Sequence, residues 1–531
     1  MNAFAERAAG ASASLRKYDL MRISSVPLGS LPGSSALFSA YVSRSPAAAR
    51  LYRHDPFSEE GRRAAAQEAL SGGAPREQVV EALRRLNGGS PALEKLARPG
   101  TVAVVTGQQA GLFGGPAYTL YKALTAVRVA GQLEAMGIPA VAVFWMATED
   151  HDLDEVSVAH VFDTRIRPVR LEAGADRHQG KPIGTVPMAR PPLDGLASAL
   201  AGFLHSGDVL RLAETAYQPG RTFGEAFHAL LASLLGRLGV IFVDPLQPEL
   251  RRLAAPLLAR AWQQRERLGE ALAARRRELE GAGFHAQVEV RDGGGLFFVL
   301  EDGVRRRSSL AAREPDPESL SPNALLRPVM QDWLLPTALY VGGPAEIAYF
   351  AQAAVLYPPL LGRMPAILPR AGFTLADGRT RRLMERYGIT LADCMRGEEA
   401  LVETLAARLA PASLEAAFDE TGAGVTRLLD RLRAELEGFD PSLASALDLS
   451  RAKILYQLAK IRRKAERAAL RRQSDAEQQA RHAFRLVTPE RRLQERYYSF
   501  LPFLARYGLR LVDDLLAAVD PLCPAHEILA P

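Results

Sequence analysis

The chain has 531 residues, 48% of them apolar and 24% charged, which suits a globular protein of three or four structural units with a large core. Its 43 glycines and 35 prolines exclude a collagen-like or low-complexity chain, and two cysteines, Cys394 and Cys523, can build neither a disulfide framework nor a four-cysteine zinc site. The net charge is +6, but residues 451–472 alone hold nine bases and one acid, so the basic balance describes one segment and argues only weakly for nucleic acid.

Residues 1–20 are rich in Ala, Ser and Arg, with Glu6 and Asp19 the only acids, and read as a frayed start within an N-terminal extension, 1–34. Helical patches broken by Pro and Gly fill 35–96. Thr101–Thr106 is then a short β-branched run that ends at Gly107, and the glycine-rich stretch Gly107–Pro116 leads into a helix over 117–136. Gly137 stops that helix, and Pro139 opens a second apolar run, Ala140–Met146. Strand, loop, helix, strand is a βαβ unit, and runs apolar on both faces are what a parallel sheet buries. Val240–Val243, Ala338–Val341 and Ala366–Leu368 repeat the pattern, each ending in Gly, Pro or a charged residue, and the spacing predicts helices over 222–238 and 345–357. The reading is α/β: one parallel sheet interrupted by two long insertions, 153–220 and 246–325. The second insertion carries a predicted hairpin, Phe284–Arg291 and Leu296–Leu300, across a DGGG turn. No apolar run reaches the length of a membrane span.

Beyond residue 400 the period changes. Leu414, Phe418, Val425, Leu428 and Leu432 recur near every 3.5 residues, as do Leu443, Leu447, Ile454, Leu458, Ile461, Ala465 and Ala468, around a break at 438–441. This is an antiparallel helical hairpin. Its first helix, 412–437, has six acids and three bases, complementary to the basic second helix, so pairing across the hairpin explains the charge run more simply than RNA does. Core segments 35–152, 221–245 and 326–399 are thus followed by a coiled coil, 400–485, and a C-terminal helical segment, 486–531.

The unusual polar clusters all fall at strand ends, where open α/β sheets bind ligands. After the first strand come Gln108, Gln109, Gly111, Gly114 and Gly115, with Lys122 inside the next helix. Glycines and free helix N–H groups there could cradle an anion that Lys122 reaches, although the loop matches neither standard nucleotide fingerprint and also reads as a tight turn. After the second strand come Glu149, Asp150, His151 and Asp152, fit to hold a cation, anchor an amine or supply a general base; an amine or hydroxyl contact is favoured over a metal. Near the fourth strand lie Arg327, Gln331, Asp332 and Glu346, with Arg370 after the fifth. Each arginine reads equally as a clamp for carboxylate or phosphate and as half of a buried ion pair with Asp332 or Glu346.

The stretches VVTGQQAGLFGGPAYTLYKA (104–123), FWMATEDHDLDEV (144–156), the run 321–352 around RPVMQDW and YVGGPAEIAYF, MPAILPR (364–370) and LQERYYSFLPFLARYGLRLVDDLL (493–516) resemble the bacillithiol biosynthesis cysteine-adding enzymes, the BshC family. The resemblance runs from about Ser34 to the C-terminus. It implies a Rossmann-like core with two connecting insertions, similar in plan to class I aminoacyl-tRNA synthetases, and a coiled coil used for homodimerisation in the cytoplasm. It also implies amide formation between the cysteine carboxylate and the amine of glucosaminyl-malate, with ATP as cosubstrate and room for Mg2+ beside it. Neither HIGH nor KMSKS, the class I synthetase motifs, occurs here, so adenylyl and phosphoryl activation both stay open. On this reading Asp150, His151 and Gln108 are the catalytic candidates. Gln109, Gly111, Gly114, Gly115 and Lys122 would take nucleotide or cysteine; Glu149, Asp152, Arg327, Gln331, Asp332, Glu346 and Arg370 would take the sugar acid; no metal ligands are assigned. The rival reading is an RNA-binding synthetase-like protein that uses the basic helix.

Overall fold

The computed structural model describes residues 21–174, 180–289, 293–308, 314–473 and 475–531. The strands are β1 (Met21–Pro27), β2 (Val102–Gln108), β3 (Ala140–Met146), β4 (Val158–Phe162), β5 (Pro168–Glu172), β6 (Ile241–Val243) and β7 (Phe297–Glu301). They continue with β8 (Val304–Arg307), β9 (Leu320–Pro322), β10 (Thr337–Gly342), β11 (Ala366–Pro369), β12 (Gly372–Leu375) and β13 (Ala525–Ala530). The chain divides into two compact units, one holding the residues up to 375 with 494–529, the other 376–493.

The five runs predicted as strands form one parallel sheet in the order β11-β10-β2-β3-β6. Counted along the chain, that order is fifth, fourth, first, second, third, the Rossmann arrangement. The chain reverses its direction of travel across the sheet between β2 and β10, and a crevice opens there beyond the carboxyl ends of the strands. β2 is apolar on both faces and buried along most of its length, because helices cover both sides. Gly107 closes β2 where nothing larger fits, since a Cβ there would meet the Trp145 carbonyl of β3 at 2.6 Å.

Two ladders of the first unit end on side-chain amides. Asn87 donates to the Phe242 carbonyl at 2.8 Å and accepts from the Phe242 N–H at 2.7 Å, closing β6 as a further strand would. Gln494 treats Leu375 of β12 the same way, at 2.9 and 2.7 Å. Part of the stretch read as an extension belongs to the fold: β1, β13 and β12 make a three-stranded sheet, in that order.

The first insertion holds the antiparallel pair β4–β5 and the helices Leu193–Leu200 and Ser206–Ala216. The second holds the helices Pro248–Gln263 and Arg265–Gly281 and the small sheet β8-β7-β9. Its hairpin lies one turn later than expected, β7 pairing with β8 across Asp302–Gly303. Residues 290–292, the end of the first expected strand and the start of the turn, lie outside the described residues. Residues 284–289 form no strand, and Val288 is bracketed instead by Gln352, whose amide meets its N–H at 2.8 Å and its carbonyl at 2.9 Å.

The second unit is all helix. Residues 376–399, read as the end of the core, belong to it. Its two long helices, Ala412–Phe439 and Pro441–Arg471, break at Asp440, which caps the second through Ser442 N–H at 2.8 Å. Arg451 reaches Asp430 at 2.7 Å, Arg433 reaches Asp448 at 3.2 Å, and Arg462 holds Asp419 at 2.8 Å and Glu415. These pairs step away from Asp440 on both sides, as antiparallel helices require. The predicted heptad residues are covered only in part: Leu428, Leu432, Ile454 and Ile461 are 64%, 46%, 41% and 55% exposed. Two helices bury one seam between them and leave the adjoining apolar positions open.

Candidate active site

A cavity of about 930 Å³ lies at the carboxyl ends of the parallel strands. The turns after β2, β3, β6, β10 and β11 all reach it, and β7 and β8 of the second insertion line its outer wall. The GQQ turn and the acidic run therefore meet in one crevice. Gln109 Nε2 donates to Asp150 Oδ2 at 2.7 Å and to Glu155 Oε2 at 2.9 Å, joining the ends of β2 and β3.

The acidic side is built from β3. Glu149 is buried and paired with Arg251 at 2.9 Å; burial pushes its carboxyl up, with Arg251 and Arg305 beside it opposing that shift. Asp150 accepts from Gln109 on one oxygen and from the His151 N–H, at 2.8 Å, on the other. His151 packs near Phe298, and its Nδ1 lies 3.3 Å from Arg305 Nη1. A guanidinium only donates, so Nδ1 is the acceptor and neutral His151 carries its proton on Nε2. Arg305 is itself fixed by Ser321 Oγ at 3.0 Å, by the Pro322 carbonyl at 2.7 Å and by the Phe298 ring.

The basic side is built from β10, β11 and the helix Arg327–Leu334. Glu346 accepts from Lys122 at 2.6 Å, Tyr340 Oη at 2.6 Å and Gly343 N–H at 2.7 Å. Burial alone would raise the Glu346 carboxyl, but Lys122 and those donors outweigh it and hold the group below the usual range. Arg327 donates to Tyr349 Oη at 2.7 Å and Gln331 Oε1 at 3.1 Å. Burial pushes the Tyr118 hydroxyl up to about 12. It therefore stays protonated, and because its oxygen accepts from Gln108 Nε2 at 3.1 Å its hydrogen is left to donate.

Of the residues singled out in the sequence, the cavity gathers Gln108, Gln109, Glu149, Asp150 and His151 on one side and Arg327, Glu346 and Arg370 on the other. The rest do not line it. Lys122 is buried under the GQQ turn, donating to the Gly107 carbonyl at 2.5 Å and Gln108 Oε1 at 3.1 Å, and its charge is spent on Glu346. Gly111, Gly114 and Gly115 do not line the cavity. Gly114 (φ +81°) donates its N–H to Tyr217 Oη, a Cβ on it would strike the Phe500 ring at 2.5 Å, and the Ala117 N–H that opens the next helix is taken by the Tyr498 carbonyl. Asp152 caps a four-residue helix through Glu155 N–H. Gln331 and Asp332 are buried, joined to each other at 3.0 Å and, through Asp332, to Tyr357 Oη at 2.6 Å. Arg370 is half of a buried ion pair, but with Glu495, at 2.9 and 2.5 Å, and not with Asp332 or Glu346.

Several cavity residues escaped the sequence reading, among them Trp145, Tyr118, Arg305 and Arg496. Arg305 sits in a three-arginine run that reads as solvated surface. Arg496 lies in a distinctive stretch, ERYY, but far along the chain from the sheet.

A family model described as Bacillithiol biosynthesis BshC, N-terminal Rossmann-like domain, matches residues 21–314 and 306–371; its companion, the C-terminal coiled-coil domain, matches 373–531. A protein from Solibacter usitatus (strain Ellin6076) is 44% identical over 523 residues, covering 96% of this chain and all of the relative. One from Koribacter versatilis (strain Ellin345) is 38% identical, covering 95% of this chain and 99% of the relative, and one from Salinibacter ruber is 34% identical, covering 94% and 96%. Each of the three carries the name "Putative cysteine ligase BshC".

Proposed function

This chain belongs to the bacillithiol biosynthesis BshC family, and from that membership we propose that it is a cytoplasmic cysteine ligase that joins the carboxylate of cysteine to the amine of glucosaminyl-malate. The names of the relatives support the ligase reading. The observation that carries it to this cavity is the Gln109–Asp150 contact, which sets a carboxylate and a carboxamide together at the strand switch point.

A carboxylate does not acylate an amine unaided. In this reading the cysteine carboxylate attacks ATP either at the α-phosphorus, giving an acyl adenylate and releasing pyrophosphate, or at the γ-phosphorus, giving an acyl phosphate and releasing ADP. The sugar amine then attacks the acyl carbon, the C–N bond forms, and AMP or phosphate leaves with the bonding pair. The amine must lose a proton. Asp150 is the better acceptor, because Gln109 and its own turn fix its two oxygens while unused lone pairs remain. His151, protonated on Nε2, is placed to donate to developing negative charge. Among the described residues no three His, Cys, Asp or Glu side chains gather around a common point; Mg2+ enters this scheme with the nucleotide. The open apolar positions of the helical hairpin support a homodimer formed through it.

Incubation with cysteine, ATP and glucosaminyl-malate should yield the amide by mass spectrometry, with AMP or ADP identifying the activation step. Asp150→Asn should lower kcat by about a hundredfold or more with the fold intact. Absence of the amide product from the wild-type protein overturns the reading.

A further inference from the structure

Four cations lie at the basic side of the cavity, Arg327, Arg370 and Arg496 in its wall and Lys122 buried behind it, together with two carboxylates, Glu346 and the buried Glu495. Glu346 is taken by Lys122. Glu495 is taken by both arms of Arg370 and by the Phe373 N–H at 3.2 Å. Arg327 contacts only neutral oxygens, and Arg496 has no hydrogen bond or ion pair among the described residues. Two positive charges are thus left over in one wall. Positive charge that no protein carboxylate matches and that opens on a cavity is suited to an anionic ligand.

Arg496 is also held ready. Its backbone lies in the short helix Gln494–Tyr497, where Gln494 brackets Leu375, Glu495 grips Arg370, and Tyr497 stacks on His160 with ring centroids 4.3 Å apart. Every neighbour is committed to the fold, while the Arg496 side chain stays accessible and lines the cavity. Two other anion donors at these strand ends are occupied: the Ala117 N–H before the helix that follows β2 meets the Tyr498 carbonyl, and the Gly343 N–H before the helix that follows β10 meets Glu346.

We propose that Arg496, together with Arg327, forms the anion-binding end of the cavity and takes a doubly negative group, a dicarboxylate or a phosphate. This rests on the cavity being the reaction site proposed above. Arg370 is then a support that positions the segment bearing Arg496, and the guanidinium of Arg496 is a direct ligand.

Equilibrium binding to the full chain tests this without turnover. Calorimetry with L-malate and with inorganic phosphate, and with lactate as a monoanion control, should show a dianion bound by the wild type. Arg496→Gln should weaken that binding by about ten- to a hundredfold, Arg496→Lys should recover part of it, and lactate should change little. Loss confined to malate assigns the end to the sugar acid, and loss confined to phosphate assigns it to the nucleotide. Should Arg496→Gln fail to fold, phenylglyoxal labelling of the wild type, mapped by mass spectrometry, should show Arg496 protected by the same dianion. Unchanged dianion affinity in Arg496→Gln, no protection of Arg496, or a wild type that binds neither dianion overturns the inference. A protein that binds a dianion through Arg496 yet makes no amide keeps the inference and loses the ligase reading.

Discussion

Lys122 shows how far one residue can be read. Its place just inside the helix after β2 suggested a phosphate ligand, and its position is indeed at the right strand end. The residue that claims it, Glu346, comes from the turn after β10, a meeting that only the closed sheet creates. The pair also explains Gln108, because Lys122 holds its oxygen and so aims its N–H2 group at Tyr118. Lys122→Met strands a buried carboxylate and should cost about 3–5 kcal/mol, read by denaturant unfolding, whereas the double variant Lys122→Met, Glu346→Gln should cost less. A pH series adds an independent readout. Glu346 is held below the usual carboxylate range in the folded protein, so its contribution is complete above that range and is lost as pH falls through its folded value. Wild type should lose stability over that acid window, and Glu346→Gln should lose less. The acidic run was legible because charged residues directly after a buried strand have few structural uses. Arg305 and Arg496 were not, because nothing local separates an arginine in a cavity wall from one in water.

The long strands were legible as elements. Ala140–Met146 was read to the residue, because Gly137 and Pro139 precede it and charged residues follow. Where a strand is short, its neighbours decide. β6 has three residues, and the hairpin expected at 284–300 gave way to one at 297–307 because Gln352 takes the Val288 backbone first. The amide brackets at Phe242 and Leu375 are equally invisible in sequence, since any surface Asn or Gln looks the same. They make a sharp prediction. Asn87→Asp replaces a donor by an acceptor that faces the Phe242 carbonyl, and should cost about 1–3 kcal/mol in thermal or urea unfolding. A cost near zero would mean that water serves that edge as well.

At the scale of the whole molecule, charge and apolar surface are both uneven. The basic helix of the hairpin settles part of its charge on its acidic partner, and the apolar positions left over are where the proposed homodimer would form. Replacing Leu432 and Ile461 together by Lys should give a monomer in sedimentation with unchanged helical circular dichroism. A wild type already monomeric at micromolar concentration would remove the homodimer from the scheme. This surface was half legible: the heptads marked the helices, but not which positions two helices alone could cover.

Asn87 is followed by Gly88, which has a φ of +59° and donates its N–H to the Arg84 carbonyl at 2.8 Å. Asn-Gly is the pair in which that nitrogen, once its hydrogen bond opens, most readily attacks the carboxamide and expels ammonia to give a succinimide, which water then opens to aspartate or isoaspartate. The clasp on β6 is thus made of the one group in the ladder that time can rewrite, and Asn87→Asp doubles as a portrait of the molecule in old age.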